Sequence, residues 1–179
     1  MMSMFGFLLL QTPALAQSIE LPAASPRAEV RQQVGIVELA VDYASPGKKE
    51  RAVWGELVPY DALWRTGANT ATIFETTGDL MFGGVAVPAG RYALFSIPGK
   101  EMWTVILNKD TEQSGTDQYD TKLDQARVEV KPSVGPERER LTFVFSDTTD
   151  QGATLDLEWA GVRVSVPVTT DTAGLVRSR

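Results

Sequence analysis

The chain has 179 residues, 43% apolar and 22% charged, with a formal net charge of −6. That length suits one domain around one core, and the acidic balance argues against sequence-independent nucleic-acid binding and docking on anionic lipid. There is no Cys and no His, which excludes thiol chemistry, disulfides, Cys-ligated metals, the Ser-His-Asp arrangement and the imidazole general base.

Residues 4–10 (Met-Phe-Gly-Phe-Leu-Leu-Leu) form a short apolar run, and Ala14-Leu15-Ala16 follows with the small-residue spacing of a cleavage site. The run is too short for a bilayer span, which takes about 20 residues. No Lys or Arg precedes it. These features predict a signal peptide over 1–16 and a periplasmic or secreted mature protein without a membrane span. Residues 17–32 contain Pro and Ala without periodicity and read as a leading arm.

From Gln33 the pattern turns β-rich. Val34, Ile36 and Val37 lead into Leu39–Tyr43, which predicts a strand. Ser45-Pro46-Gly47-Lys48-Lys49 reads as a turn, Ala52–Gly55 as a short strand, and Val58–Trp64 as one helical turn with Pro near its start. Residues 71–77 are rich in β-branched and aromatic side chains and predict a strand. Leu80–Phe82 and Val85–Val87 around Gly83-Gly84 predict a tight hairpin, because two glycines supply the positive φ of a two-residue turn. Arg91–Ile97 and Trp103–Asn108 are further strands, the second with Trp103, Val105 and Leu107 on one face.

A polar stretch over 109–124 exceeds the usual connection length. Strands follow at 126–131, 141–146, 153–159 and 162–168. The last pair alternates most clearly, with Ala160-Gly161 as its turn and Glu158 opposite Arg163 on the solvent face. The domain is expected over 33–168, with a tail over 169–179. The whole predicts an all-β fold: an antiparallel β-sandwich, or a partly open barrel, of about nine or ten strands with one or two short helical turns.

Several segments together carry a family resemblance: Gly55-Glu56-Leu57-Val58-Pro59-Tyr60, Trp64-Arg65-Thr66-Gly67-Ala68-Asn69, Pro88–Phe95, Ile97-Pro98-Gly99-Lys100, Trp103–Ile106, Asn108-Lys109, Arg140–Phe143 and Leu157-Glu158-Trp159. In these the chain resembles the DUF2911 family, bacterial domains of unknown function, over about residues 25–168. The resemblance implies an exported, mostly β protein and brings no established activity. Residues 44–51 match only loosely, and a basic side chain that the resemblance implies near position 45 is absent.

Trp64, Arg65 and Asn69 are the densest functional-looking group. An arginine fork grips carboxylate or phosphate, an indole stacks on a ring, and an amide fixes orientation. The scaffold alternative is that Trp64 caps the core, Arg65 pairs with Glu56 or Asp61, and Thr-Gly-Ala-Asn is a turn. Lys109, beside Asn108 at the start of the polar stretch, is a further candidate ligand contact. Asp110, Glu112, Asp117, Asp120 and Asp124 match no calcium-loop spacing and read as a solvated loop, so no metal or cofactor is assigned.

The expected function is a non-enzymatic binding module for a small polar ligand, a glycan or an envelope protein. Its rivals are a cofactor-free or Ca²⁺-assisted cell-envelope hydrolase, which would place two carboxylates about 5–10 Å apart beside Arg65, and a structural or assembly protein. The direction of Arg65 separates scaffold from site. Intact-mass measurement of the exported protein is expected to give a chain starting at Gln17; a chain starting at Met1 contradicts the signal peptide.

Overall fold

The computed structural model describes residues 22–171 and Gly174. The expected signal peptide and most of the expected tail lie outside the described residues. The strands are β1 (Arg27–Val34), β2 (Val37–Ala44), β3 (Thr72–Thr76), β4 (Leu80–Phe82), β5 (Val85–Val87) and β6 (Gly90–Ile97). They continue as β7 (Trp103–Asn108), β8 (Asp124–Val130), β9 (Ser133–Val134), β10 (Thr142–Ser146), β11 (Gly152–Trp159) and β12 (Val162–Thr169).

They form two antiparallel sheets that do not close into a barrel. The first has the order β1-β2-β3-β6-β7-β8; the second has β10-β11-β12-β4-β5, with β9 added beside β12. The all-β sandwich is therefore as expected, with more strands than the pattern suggested.

The differences have local causes. Residues 27–32, expected as an arm, belong to β1, which pairs with β2 along its whole length. Its alternate residues are exposed, as on an edge strand, so the short apolar side chains leave little periodic signal. Gly35-Ile36 is the connecting turn, with Gly35 at φ 58°, where a single strand was expected. Residues 52–55 make a turn closed by a Trp54–Val58 bridge rather than a strand. Val58–Trp64 is not helical: Asp61 has φ 59° and its N–H donates to Pro98 O. The short 3-10 turn that does form lies at Thr121–Leu123. At the other end β12 runs to Thr169, one residue beyond the expected strand and into the first residue of the expected tail.

Alternation builds the core. Leu39, Val41, Tyr43, Phe74, Leu94, Trp103, Val105, Leu107 and Val128 face inward from the first sheet. Phe82, Phe143, Leu155, Leu157, Trp159, Val164, Val166 and Val168 face them from the second. The β4–β5 hairpin turns at Gly83-Gly84 with φ 55° and 87°. A Cβ at Gly83 would fall 2.3 Å from Val128 Cγ1, so this glycine also lets the hairpin lie against β8.

A second cluster (Ala71, Ile73, Ala93, Phe95 and Ile106) sits on the other face of the first sheet, and Tyr119 of the polar stretch packs on it. Residues 109–124 are thus anchored on that face through Tyr119, while most of their side chains stay exposed as expected of a solvated loop. Asp124 holds it in place by accepting hydrogen bonds from Tyr119 Oη, Asn108 Nδ2 and Arg127. Burial, and then the Asp124 carboxylate, push the Tyr119 phenol up to about 12, so it remains a donor near neutral pH. Among the described residues no cluster of three acidic groups is poised for a metal.

Glu158 departs from its expected surface position. The register is the expected one, Glu158 opposite Arg163 and Trp159 opposite Val162. Yet the Glu158 side chain is only 4% exposed, because Arg138 and Arg163 lie over it. Arg138 Nε donates to Glu158 Oε2 at 2.6 Å and Arg163 Nε to Oε1 at 2.8 Å. Burial pushes this carboxyl upward, but the two guanidinium groups outweigh it and hold the group below its usual range.

A depressed folded-state pKa stabilises the fold above the unfolded value of about 4.3 and loses that contribution as pH falls through the folded value. Chemical denaturation is expected to show Glu158→Gln less stable than wild type by about 1–3 kcal/mol at neutral pH. The gap should narrow below the unfolded carboxylate range; a gap constant down to strong acid would contradict the pairing.

Candidate functional site

Four tryptophans occur in the chain, and all four meet at one end of the sandwich. Trp103 comes from β7 and Trp159 from β11, so they belong to opposite sheets. Trp54 and Trp64 come from the connection between β2 and β3. Ring centroids of Trp54 lie 5.0 Å from Trp103, 5.7 Å from Trp159 and 5.9 Å from Trp64, all edge to face. Trp64 stacks on Trp159 at 6.1 Å with an interplanar angle of 21°. Such pairs add about 0.5–1.5 kcal/mol each beyond area burial.

Backbone pairing explains why Trp64 arrives there. The β3–β6 ladder ends at Thr72–Leu94. Beyond it, Ser96 of β6 exchanges both backbone hydrogen bonds with Trp64, each 2.8 Å. Trp64 therefore continues the row that β3 leaves. The chain then reverses sharply. Thr66, buried at 1% exposure, has φ 52°, a conformation that is unfavourable for a β-branched residue and costs about 1–3 kcal/mol.

A dense set of hydrogen bonds holds it. Thr66 Oγ1 shares a hydrogen bond with Ser96 Oγ at 2.9 Å. Thr72 Oγ1 donates to Thr66 O at 2.9 Å, and Trp64 Nε1 donates to Gly67 O at 3.1 Å. Gly67 has no room for a side chain, since its Cβ would lie 2.7 Å from Thr72 Oγ1. Of the seven non-glycine residues at positive φ among the described residues, Lys49, Glu50, Asp61, Thr66 and Asn69 fall between β2 and β3. Strain is concentrated in this connection, as it is at many ligand-binding sites.

The connection borders an open cleft of about 280 Å³ lined by Ser25, Arg51, Leu57, Trp64, Arg65 and Trp159, among others, with Gly67 and Ala68 at its wall. No Asp or Glu lines it. Arg65 does not pair with Glu56 or Asp61, and no ion pair holds it among the described residues. Its Nε is buried without a hydrogen-bond partner. Leaving a buried donor unmade is costly, so such a group calls for an explanation.

Trp64 and Arg65 thus come together at one cleft. Asn69 is exposed with φ 61° and is not part of the lining; it serves the turn. Lys109 is exposed just beyond the far end of β7 from Trp103, roughly 20 Å along an extended strand from the tryptophans, so the structure does not bring it to this cleft. Ser45, where a basic side chain was expected from the resemblance, is buried and donates to Leu141 O. The same segment supplies Arg51 to the cleft instead.

Sequence reading missed Arg51 and the gathering of the tryptophans. Spacings of 10, 39 and 56 residues between the four indoles carry no periodic signal, because only the pairing of distant strands brings them together. A larger groove of about 580 Å³ lies elsewhere, between β4–β5 and residues 169–171, with Asp79 and Asp171 in its lining. Neither Trp64 nor Arg65 borders it.

The fold and the site define the class: a two-sheet antiparallel β-sandwich with a strained connection and a tryptophan-walled, arginine-bearing cleft at one end. The chain belongs to the DUF2911 family, described as a protein of unknown function, which matches residues 25–168. No curated protein and no solved structure is detectably similar to it.

Gly67→Ala is expected to destabilise the protein by about 1–3 kcal/mol, because its Cβ must displace Thr72 Oγ1 or the backbone. It should also shift the tryptophan emission, since the Trp64 Nε1 hydrogen bond ends on Gly67. Denaturant melts followed by fluorescence check both; an unchanged midpoint and spectrum would contradict the caged-turn account.

Proposed function

We propose that this is an exported, non-enzymatic binding module that holds a small polar or saccharide-like ligand in the Trp64–Arg65 cleft. The observation that carries this reading is Arg65, which lines an open cleft with its Nε buried and unpartnered and with no carboxylate beside it. A scaffold arginine would be paired. The volume of about 280 Å³ falls near the lower end of small-molecule sites, roughly 300–1,000 Å³, and favours a small ligand over a broad protein interface.

The leader-like N-terminal sequence supports export to the periplasm or beyond. The hydrolase reading needs two carboxylates about 5–10 Å apart beside Arg65, and the lining of this cleft contains none. The assembly reading needs a broad apolar patch. The large apolar side chains recorded as exposed are Leu57, Met81, Met102, Leu123 and Val134, and they belong to separate elements.

The purified mature chain, screened against a glycan and metabolite panel, is expected to retain a ligand with Arg65 intact. Arg65→Ala should weaken that retention about tenfold or more, or ~1.4 kcal/mol, without changing the melting temperature by more than a few degrees. Equal retention by a folded Arg65→Ala protein would refute the role of the cleft.

A further inference from the structure

We infer that the cleft is built for an oxyanion, a carboxylate or phosphate group, taken between Arg51 and Arg65. This rests on the ligand-binding reading above and adds the chemical class of the ligand.

The first observation is the sign of the lining. Two guanidinium groups border the cleft and no acidic side chain does, in a chain whose net charge is −6. A cationic cleft on an acidic protein is a local arrangement and does not follow from composition. A recess lined by one sign of charge focuses its field on the opposite charge.

The second is the way Arg51 is held. Its Nε donates to Lys48 O at 2.9 Å and its Nη2 to Gly47 O at 2.7 Å. Those carbonyls fix the plane of the guanidinium and neutralise none of its charge. Its Nη1 has no partner among the described residues. Lys49 and Glu50, both at positive φ, lie on the same turn, so a strained backbone presents this arginine.

The third is the donor count. Arg65 Nε is buried and unpaired. Neither the Gly67 nor the Ala68 N–H has an acceptor among the described residues, and both residues line the cleft. Three carbonyls beside these donors are already engaged: Gly67 O by Trp64 Nε1, and Gly47 O and Lys48 O by Arg51. A ligand rich in acceptors and bearing negative charge answers the open donors and the two cations. Carboxylate and phosphate oxygens match the arginine fork in geometry. Trp64 and Leu57 offer apolar wall to the rest of the molecule.

The test titrates the purified mature chain with inorganic phosphate, with benzoate and with glucose at low ionic strength, read by tryptophan emission, which the four-indole cluster makes sensitive to the cleft. Phosphate or benzoate is expected to give a saturable change and glucose none. Which anion binds more tightly separates phosphate from carboxylate recognition. Arg51→Gln and Arg65→Gln should each weaken anion binding about tenfold, and added salt should weaken it further.

Arg51→Lys and Arg65→Lys keep the charge and lose the fork, so they should recover part of the affinity and guard against loss of folding. Lys109→Ala removes a cation remote from the cleft and should leave binding unchanged. The inference is overturned if neither anion saturates by roughly 10 mM, or if the Gln variants, shown folded by their melts, bind as wild type does. If neutral ligands from the panel are retained through Arg65 while both anions fail, the binding reading stands and the oxyanion assignment falls. If panel ligands and anions all fail, both fall.

Discussion

The contact among Trp54, Trp64, Trp103 and Trp159 ties both sheets to the connection between β2 and β3. Trp103 belongs to one sheet and Trp159 to the other, while Trp54 and Trp64 belong to the connection across the end of the sandwich. Sheet-on-sheet packing elsewhere combines the Tyr43–Phe143 and Phe74–Phe82 ring pairs with aliphatic side chains, which fill volume and tolerate rearrangement. Indoles are large and rigid and adopt few mutual angles. The cluster therefore sets where the connection lies relative to both sheets, and with it the position of Arg65, one residue from Trp64. The strain at Thr66 persists because the surrounding ring contacts and hydrogen bonds over-determine it. A cleft on this wall is preorganised, since Trp64 and Trp159 in its lining are held by ring contacts and Trp64 also by its hydrogen bond to Gly67 O.

The opposite face of the first sheet shows the same economy of burial. Ala71, Ile73, Ala93, Phe95 and Ile106 leave an apolar surface that must be covered, and residues 109–124 cover it with a single aromatic, Tyr119. The stretch is too polar to form a core of its own. It is held instead by a buried carboxylate, Asp124, at the start of β8, which gathers a phenol, an amide and a guanidinium. Glu158 repeats the device on the second sheet with two arginines. In both places a carboxylate buried at a sheet surface organises longer side chains over it, and the cost of burying the charge is offset by charge-assisted hydrogen bonds.

Legibility in the sequence followed the range of the interactions involved. The β11–β12 hairpin, its turn and its register were readable because period-two alternation and a two-residue loop are local properties. The β4–β5 turn was readable for the same reason. β1 was not, because an edge strand with charged outward residues and only Ala28, Val30 and Val34 as short apolar side chains resembles an arm. The expected helical turn at 58–64 failed because tertiary hydrogen bonds, Asp61 to Pro98 and Trp64 to Ser96, impose an extended and reversed path on a sequence without strong preference. Trp64 and Arg65 stood out by composition. Arg51 did not, since an arginine in a charged turn looks like any solvated cation until the fold places it at the cleft. Lys109 and Asn69 stood out equally, and neither lines the cleft.

The absence of His and Cys bears on the cleft itself. Its lining offers guanidinium groups, indole rings, a serine hydroxyl and backbone amides. Arginine keeps its charge across physiological pH, and indole and amide groups do not exchange protons there. Such a lining holds positive charge in place near neutrality. Two acidic side chains are engaged with the turn that carries Arg51: Glu137 with Lys48, and Glu139 through its Oε1 with the Lys49 N–H. Those two carboxylates bind the backbone and a lysine of the turn that carries Arg51, and so they steady that turn without lining the cleft.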